Sequence, residues 1–230
     1  MKKILLLVII FFCCVLCRAE NKVFYAEGTE KPKRIALTFD DGPGKTTEKI
    51  LEILKNKKVK ATFFMLGSKT VKKPMTAKKV AEEGHEIANH TYDHVNFFKY
   101  DAADKSEKIK DELLKSEKAI QKASGITPFL VRYPHGYAKR DAVDIAKENG
   151  YYVINWYFGC DWDLSLTDEE MYEKYISNIK SGAIFLMHDT NTKAVNILSD
   201  FIDKLEEEGY EIVTVGELLG LKRELEKEMK

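Results

Sequence analysis

Cysteine is nearly absent from this 230-residue chain, and three of its four, Cys13, Cys14 and Cys17, crowd its beginning. Net charge is absent too, with 37 basic against 37 acidic side chains. That balance argues against a nucleic-acid or anionic-membrane surface. No low-complexity tract and no Pro/Gly-rich linker interrupts the chain, which excludes an obvious domain boundary. Long apolar runs are missing as well. The longest, Ile4 to Leu16, is 13 residues, shorter than the roughly 20 needed to span a bilayer.

That short run follows Lys2 and Lys3 and leads into Cys17-Arg18-Ala19, with small residues at both specificity positions of a signal-peptidase site. Residues 1–19 are therefore expected to be a secretory signal peptide. The competing readings are a retained anchor or a lipidated Cys17, although Cys14-Val15-Leu16 matches a lipobox poorly. Cleavage after Ala19 would remove Lys2, Lys3 and Arg18 and no acid, leaving an excess of three acidic side chains. The exported chain (secreted, periplasmic or cell-surface) would keep one cysteine, Cys160, and no internal disulfide. About 211 residues suit one domain with a sizeable core and a monomer without a transmembrane span.

Residues 20–32 are polar and read as an N-terminal tail or short edge element. Lys33 to Phe39 reads as a strand, and Thr46 to Lys58 as an amphipathic helix with Ile50, Leu51, Ile53 and Leu54 inward. A punctuation then recurs at Gly84, Gly150, Gly182 and Gly209: a charged helix end, a glycine, an apolar run. Glycine past a helix closes its last turn in the left-handed conformation, so each marks a helix-to-strand junction. Seven strands follow: Ile35–Phe39, Ala61–Leu66, Glu86–Asn89, Phe129–Arg132, Tyr151–Trp156, Ala183–Met187 and Tyr210–Val213. Helices alternate with them, the longest from Ala103 to Ala123 and another opening on the capping box Thr167-Asp168-Glu169-Glu170. The fold class is α/β, a distorted, incompletely closed (β/α)7 barrel. Glu217 to Lys230 reads as a charged terminal helix.

Active groups of such folds gather at the C-terminal ends of the strands. Polar clusters fall there repeatedly: Asp40-Asp41, His90 to His94, Arg132 to Gly136, Asp161-Trp162-Asp163 and His188-Asp189. His90 and His94 are four residues apart, which places both on one face if the segment is a helical turn. One carboxylate and two imidazoles make three ligands and leave a fourth position open on zinc or a similar metal. The second carboxylate of the pair is then free for proton chemistry. This is the outline of a metal-dependent hydrolase. His85 starts a strand and reads as structural, and Cys160 as a small buried residue.

Thr38-Phe39-Asp40-Asp41-Gly42, His90-Thr91-x-x-His94, Arg132-x-Pro134-x-Gly136 and Leu186-x-His188, in that order, resemble the motifs of the polysaccharide deacetylases (carbohydrate esterase family four, the NodB-homology domain). The resemblance covers residues 33–220, with 221–230 as a helix end, and implies the same barrel. It implies that Asp41, His90 and His94 bind a divalent metal, commonly zinc, with cobalt, nickel or manganese as alternatives. It implies Asp40 as general base, Arg132 holding it, and His188 as general acid. The backbone N–H of His135 would meet the oxyanion, Trp162 and Leu186 would wall the acetyl pocket, and Asp161 would line the substrate site.

Two departures from the family pattern stand out. Pro134-His135-Gly136 replaces the usual Pro-Tyr-Gly. No acid precedes Asp161 in Trp156-Tyr157-Phe158-Gly159-Cys160-Asp161, where the family is expected to carry the carboxylate that tunes the catalytic histidine. Asp161, Asp163 and Asp189 are the candidates to replace it. The expected function is N-deacetylation of a β-1,4-linked glycan, peptidoglycan first and a chitin-like polymer second. An O-acetyl esterase acting on xylan and a non-catalytic glycan-binding relative are the alternatives.

Overall fold

The computed structural model describes residues 22–223, so the expected signal peptide and the last seven residues lie outside the described part. The chain runs β1 (Phe24–Tyr25), β2 (Arg34–Gly42), α1 (Thr47–Lys57), β3 (Thr62–Met65), α2 (Gly67–Lys72), α3 (Pro74–Glu82), β4 (Glu86–Asn89) and α4 (Lys105–Ser124). It continues β5 (Leu130–Val131), α5 (Arg140–Glu148), β6 (Tyr152–Ile154), α6 (Asp168–Ser177), β7 (Ile184–His188), α7 (Thr192–Glu207), β8 (Glu211–Val213) and α8 (Val215–Leu219). All pairings between these strands are parallel, in the order β1-β6-β5-β4-β3-β2-β7. β8 pairs with the first residues of β2, Arg34 to Ala36, and β3 takes over from Thr38 onward.

The sheet curls into an open half-barrel. Its seam carries only isolated bridges, Glu27 to Ala183 and Phe158 to Phe185. Each of the seven expected strands is present, three of them shortened at both ends. The eighth, β1, lies in the stretch read as a tail or edge element, and its two residues pair with Val153 and Ile154.

The period-two alternation of β2 explains how the layers form. Ile35, Leu37 and Phe39 belong to the large core shared with Leu51 and Leu54 of α1 and Leu198 and Phe201 of α7. Ala36 joins Phe64, Ala88, Leu130, Ile154 and Val215 in a separate cluster on the other face. Thr38 and Asp40 follow Ala36 at alternate positions, so β2 carries small and polar groups on that face as it approaches its C-terminal end. Phe97, Leu113, Val131 and Tyr133 form a third cluster under α4 and α5.

The glycine punctuation holds in conformation: φ is +77° at Gly84, +76° at Gly150, +81° at Gly182 and +77° at Gly209. Gly182, however, stands in a turn five residues past the end of α6 rather than directly at a helix end. The capping box at Thr167 forms as expected, with Thr167 Oγ1 accepting from the Glu170 N–H at 3.1 Å. Among the described residues the expected terminal helix does not run on from Glu217. Helix α8 opens on its own capping box at Thr214 and closes at Gly220, whose φ is +63°.

Candidate active site

Strand ends deliver the polar groups to one place. Asp40 and Asp41 close β2, His90 follows β4, Arg132 follows β5 and His188 closes β7. Gly42 is required by packing, because a Cβ there would lie 2.1 Å from Asp189 Oδ2. Residues 90–94 are not the helical turn that their spacing suggested. They form an irregular loop with left-handed backbone at Thr91 (φ 68°) and His94 (φ 59°). Asn89 Oδ1 accepts from the Thr91 N–H, and buried Glu112 Oε2 accepts from the N–H groups of Tyr92 (3.0 Å) and Asp93 (2.7 Å).

That loop places His90 Nε2 3.4 Å and His94 Nε2 3.2 Å from Asp41 Oδ1. The three side chains form the one His/Cys/Asp/Glu group among the described residues whose ligand atoms are mutually close enough to hold a metal ion. Their chemistry fits a divalent cation. Asp41 Oδ1 is buried without a hydrogen-bond donor. His90 Nδ1–H donates to the Arg132 carbonyl oxygen (2.6 Å), which leaves its Nε2 lone pair facing the group. Burial, with His90 nearby, lowers the His94 pKa to about 4, so that imidazole is neutral and able to ligate at pH 7.

Asp40 lies beside this triad, its Oδ2 3.8 Å from His90 Nε2. Its Oδ1 accepts from Arg132 Nη1 at 2.7 Å. Arg132 is fully buried, and it also donates to Thr38 Oγ1 and to the carbonyls of Ile154 and Asn155. Its guanidinium lies 4.0 Å from the centre of the Phe64 ring. Across the pocket, His188 Nδ1–H donates to Asp161 Oδ1 (2.7 Å), and the His188 backbone N–H donates to Asp161 Oδ2 (2.7 Å). Burial alone would lower the His188 pKa. The hydrogen bond and charge of Asp161, helped by Asp40 and Asp41, instead raise it to about 9.

Asp40, Asp41, His90, His94 and His188 line a cavity of about 470 Å³, open to the surface, together with Tyr133, His135, Trp156, Trp162 and Leu186. A family model described as polysaccharide deacetylase matches residues 27–154, more than half of the chain. The chain belongs to the polysaccharide deacetylase family. It is 36% identical over 200 residues to the peptidoglycan-N-acetylglucosamine deacetylase of Bacillus cereus, covering 83% of this chain and 90% of that protein. It is also 36% identical over 198 residues to the peptidoglycan-N-acetylglucosamine deacetylase PgdA of Listeria monocytogenes. That match covers 85% of this chain and 41% of PgdA, so the chain spans well under half of that relative's length. The crystal structure of the Bc1960 peptidoglycan N-acetylglucosamine deacetylase superposes with a TM-score of 0.82 at 30% identity, covering 89% of this chain and 96% of that one.

In this family member the altered fourth motif does not leave His188 without a carboxylate, because one of the three candidate acids takes the place of the missing upstream one. Asp161 is that partner, fully buried and bound through both oxygens. Asp163 is exposed and bonded to Ser165. Asp189 is buried beneath the Gly42 turn, where it accepts from Thr47 Oγ1 (2.6 Å). His135 projects at the pocket mouth from a turn with φ 58°, its ring 5.0 Å from that of His94. Trp162 is half exposed and packs edge-on to His188 at 5.9 Å. His85 is structural: its Nδ1 accepts from the Ala61 N–H, and burial lowers its pKa to about 4. Half-buried Cys160 packs against the core, and burial pushes its thiol up to about 11.

The sequence reading missed Trp156 and Tyr133 as pocket walls. Their signal was an aromatic at, or just beyond, a strand end. It also missed Glu112, which sits twenty residues along the chain on a helix.

Proposed function

We propose that this polysaccharide deacetylase is exported and removes N-acetyl groups from the amino sugars of peptidoglycan. The observation that carries the reading is the convergence of Asp40, the Asp41/His90/His94 group and the Asp161–His188 pair on one open cavity. The names of the relatives favour peptidoglycan over other acetylated glycans. The short apolar leader ending at Ala19 supports export.

Asp41, His90 and His94 would hold a divalent cation, zinc by preference. When bound, it acidifies a water and polarises the acetyl carbonyl. Arg132 ties up Asp40 Oδ1, so Oδ2 is the atom that takes the proton from the attacking water. The backbone N–H of His135 supports the oxyanion of the tetrahedral intermediate. With its Nδ1 proton committed to Asp161, His188 presents its Nε2 proton to the departing amine. Trp162 and Leu186 confine the acetyl methyl. The C–N bond breaks, releasing acetate and a free amine on the sugar.

The test is acetate release from purified peptidoglycan with added zinc. We expect Asp40→Asn to lower kcat by roughly 10²- to 10⁴-fold with zinc affinity retained. Full activity in that variant would sink the base assignment. Release from acetylated xylan, with none from peptidoglycan or chitin oligomers, would turn the reading to an O-acetyl esterase.

A further inference from the structure

Beside the catalytic pocket lies a second concavity of about 340 Å³, walled by Lys45, Lys69, Lys72 and Lys73, with Pro43, Gly44 and Thr190 completing the lining. No acidic residue lines it. The two concavities share their supporting loops, since Gly44 lies three residues past Asp41 and Thr190 two past His188. Those loops are fastened together, with the Thr46 N–H donating to the Asp189 carbonyl (3.2 Å) and a Cβ on Gly44 meeting that same oxygen at 2.0 Å. The same two loops therefore frame both the basic cleft and the catalytic pocket.

The bland account of these lysines is incomplete. Lys69 and Lys72 fall in the last turn of α2, where a cation is favoured by the helix dipole. Lys45 stands just before the start of α1, where a cation is disfavoured. Neighbouring Lys79 is paired with Glu48 and Lys78 with Glu82, whereas Lys45, Lys69 and Lys72 have no side-chain partner among the described residues. Lys73 Nζ donates to the Gly44 carbonyl (2.6 Å), which braces the turn after Asp41. Longer-range negative charge reaches the cleft from Glu48, toward Lys73, and from buried Asp189, toward Lys69. Four like charges gathered round one concavity raise a positive potential that an anion would relieve.

We propose that this cleft is a subsite for an anionic substituent of the glycan, a carboxylate or a phosphate, that lies near the acetylated sugar being processed. The proposal rests on the deacetylase reading for its substrate but not for its binding measurement. It assigns the enzyme a preference for charged wall polymer over neutral glycan.

The test uses a Lys45→Gln/Lys69→Gln/Lys72→Gln variant, with Lys73 kept because it braces the catalytic turn. Amide NMR titration of the wild-type protein with citrate, and separately with inorganic phosphate, should shift residues 44–45, 69–73 and 190, and the variant should lose those shifts. On peptidoglycan strands the variant should raise KM by roughly five- to tenfold at low salt, with kcat unchanged. The difference should shrink at high salt, where the Debye length is a few ångströms. Turnover of a neutral chitin oligomer should not change. A KM effect that vanishes when stem peptides are removed identifies the carboxylate, and one that vanishes when wall phosphate is stripped identifies the phosphate. Anion shifts without any deacetylation would uphold the subsite while the activity reading fails. The absence of anion shifts at these residues, or an equal KM change on the neutral oligomer, would overturn the proposal.

Discussion

His188 shows how one neighbour sets a residue's chemistry. Its proton is useful only while it is held, and Asp161 raises its pKa to about 9 against the opposing effect of burial. Acetate release should therefore stay high on the alkaline side of neutrality and fall as pH rises through about 9. Replacing Asp161 with Asn keeps an acceptor for the Nδ1 proton but removes the charge. The alkaline limb of the kcat profile should then move down by more than about one pH unit. An unshifted limb would show that another group controls it. Glu112 illustrates the opposite case, a carboxylate that acts through backbone. Its Oε2 holds two of the three amides between His90 and His94, and the Lys108 ammonium stands 3.0 Å from its other oxygen. Glu112→Gln should weaken zinc binding by roughly tenfold in calorimetric titration. The melting temperature of the metal-free protein should change far less than on Glu112→Ala. Equal zinc affinity in Glu112→Gln would leave the loop's geometry to Asn89 alone.

At the scale of elements, the caps divide into those that local sequence describes and those it does not. Thr167 and Thr214 form complete capping boxes with Glu170 and Glu217, each within four consecutive residues. Thr46 also stands at an N-cap position, but Lys49 occupies the place a box gives to Glu, and the Thr46 hydroxyl donates to the Asn191 carbonyl, so α1 has no side-chain cap. Thr167→Ala should cost about 1 kcal/mol in denaturant unfolding with activity per folded molecule unchanged. A loss well below that would mean that the first turn of α6 is held by its buried Met171 and Tyr175 instead. The 90–94 segment shows the limit of spacing arguments. Four-residue spacing serves a helix and a tight left-handed loop equally well, and β4 running straight into His90 decides for the loop.

For the whole molecule, the metal group joins two distant parts of the chain, the end of β2 and the loop after β4. A ligand bound only by the folded state stabilises it by mass action, about 2.7 kcal/mol at a hundred times its dissociation constant. For a chain of this length that corresponds to a rise of roughly 5–10 °C in melting temperature. Chelation should abolish acetate release and reverse that rise, and added zinc should restore both. His94→Ala should remove most of the zinc-dependent shift. A melting temperature indifferent to zinc in the wild type would argue against metal binding at Asp41, His90 and His94.

The order of strands and helices, the helix-to-strand glycines and the motif residues at strand ends were legible in the sequence. They depend on contacts within a few residues or on a repeating period, and both survive in a linear reading. Tertiary structure decided the rest. Asp161 reaches His188 across 27 residues and Glu112 reaches the metal loop across about twenty. β1 becomes a strand only because β6 offers it a free edge. The lysines of the basic cleft come from the β2–α1 loop and from α2 and the residue after it, which no local pattern relates. Local chemistry wrote the list of groups, and the curl of one parallel sheet determined which of them meet.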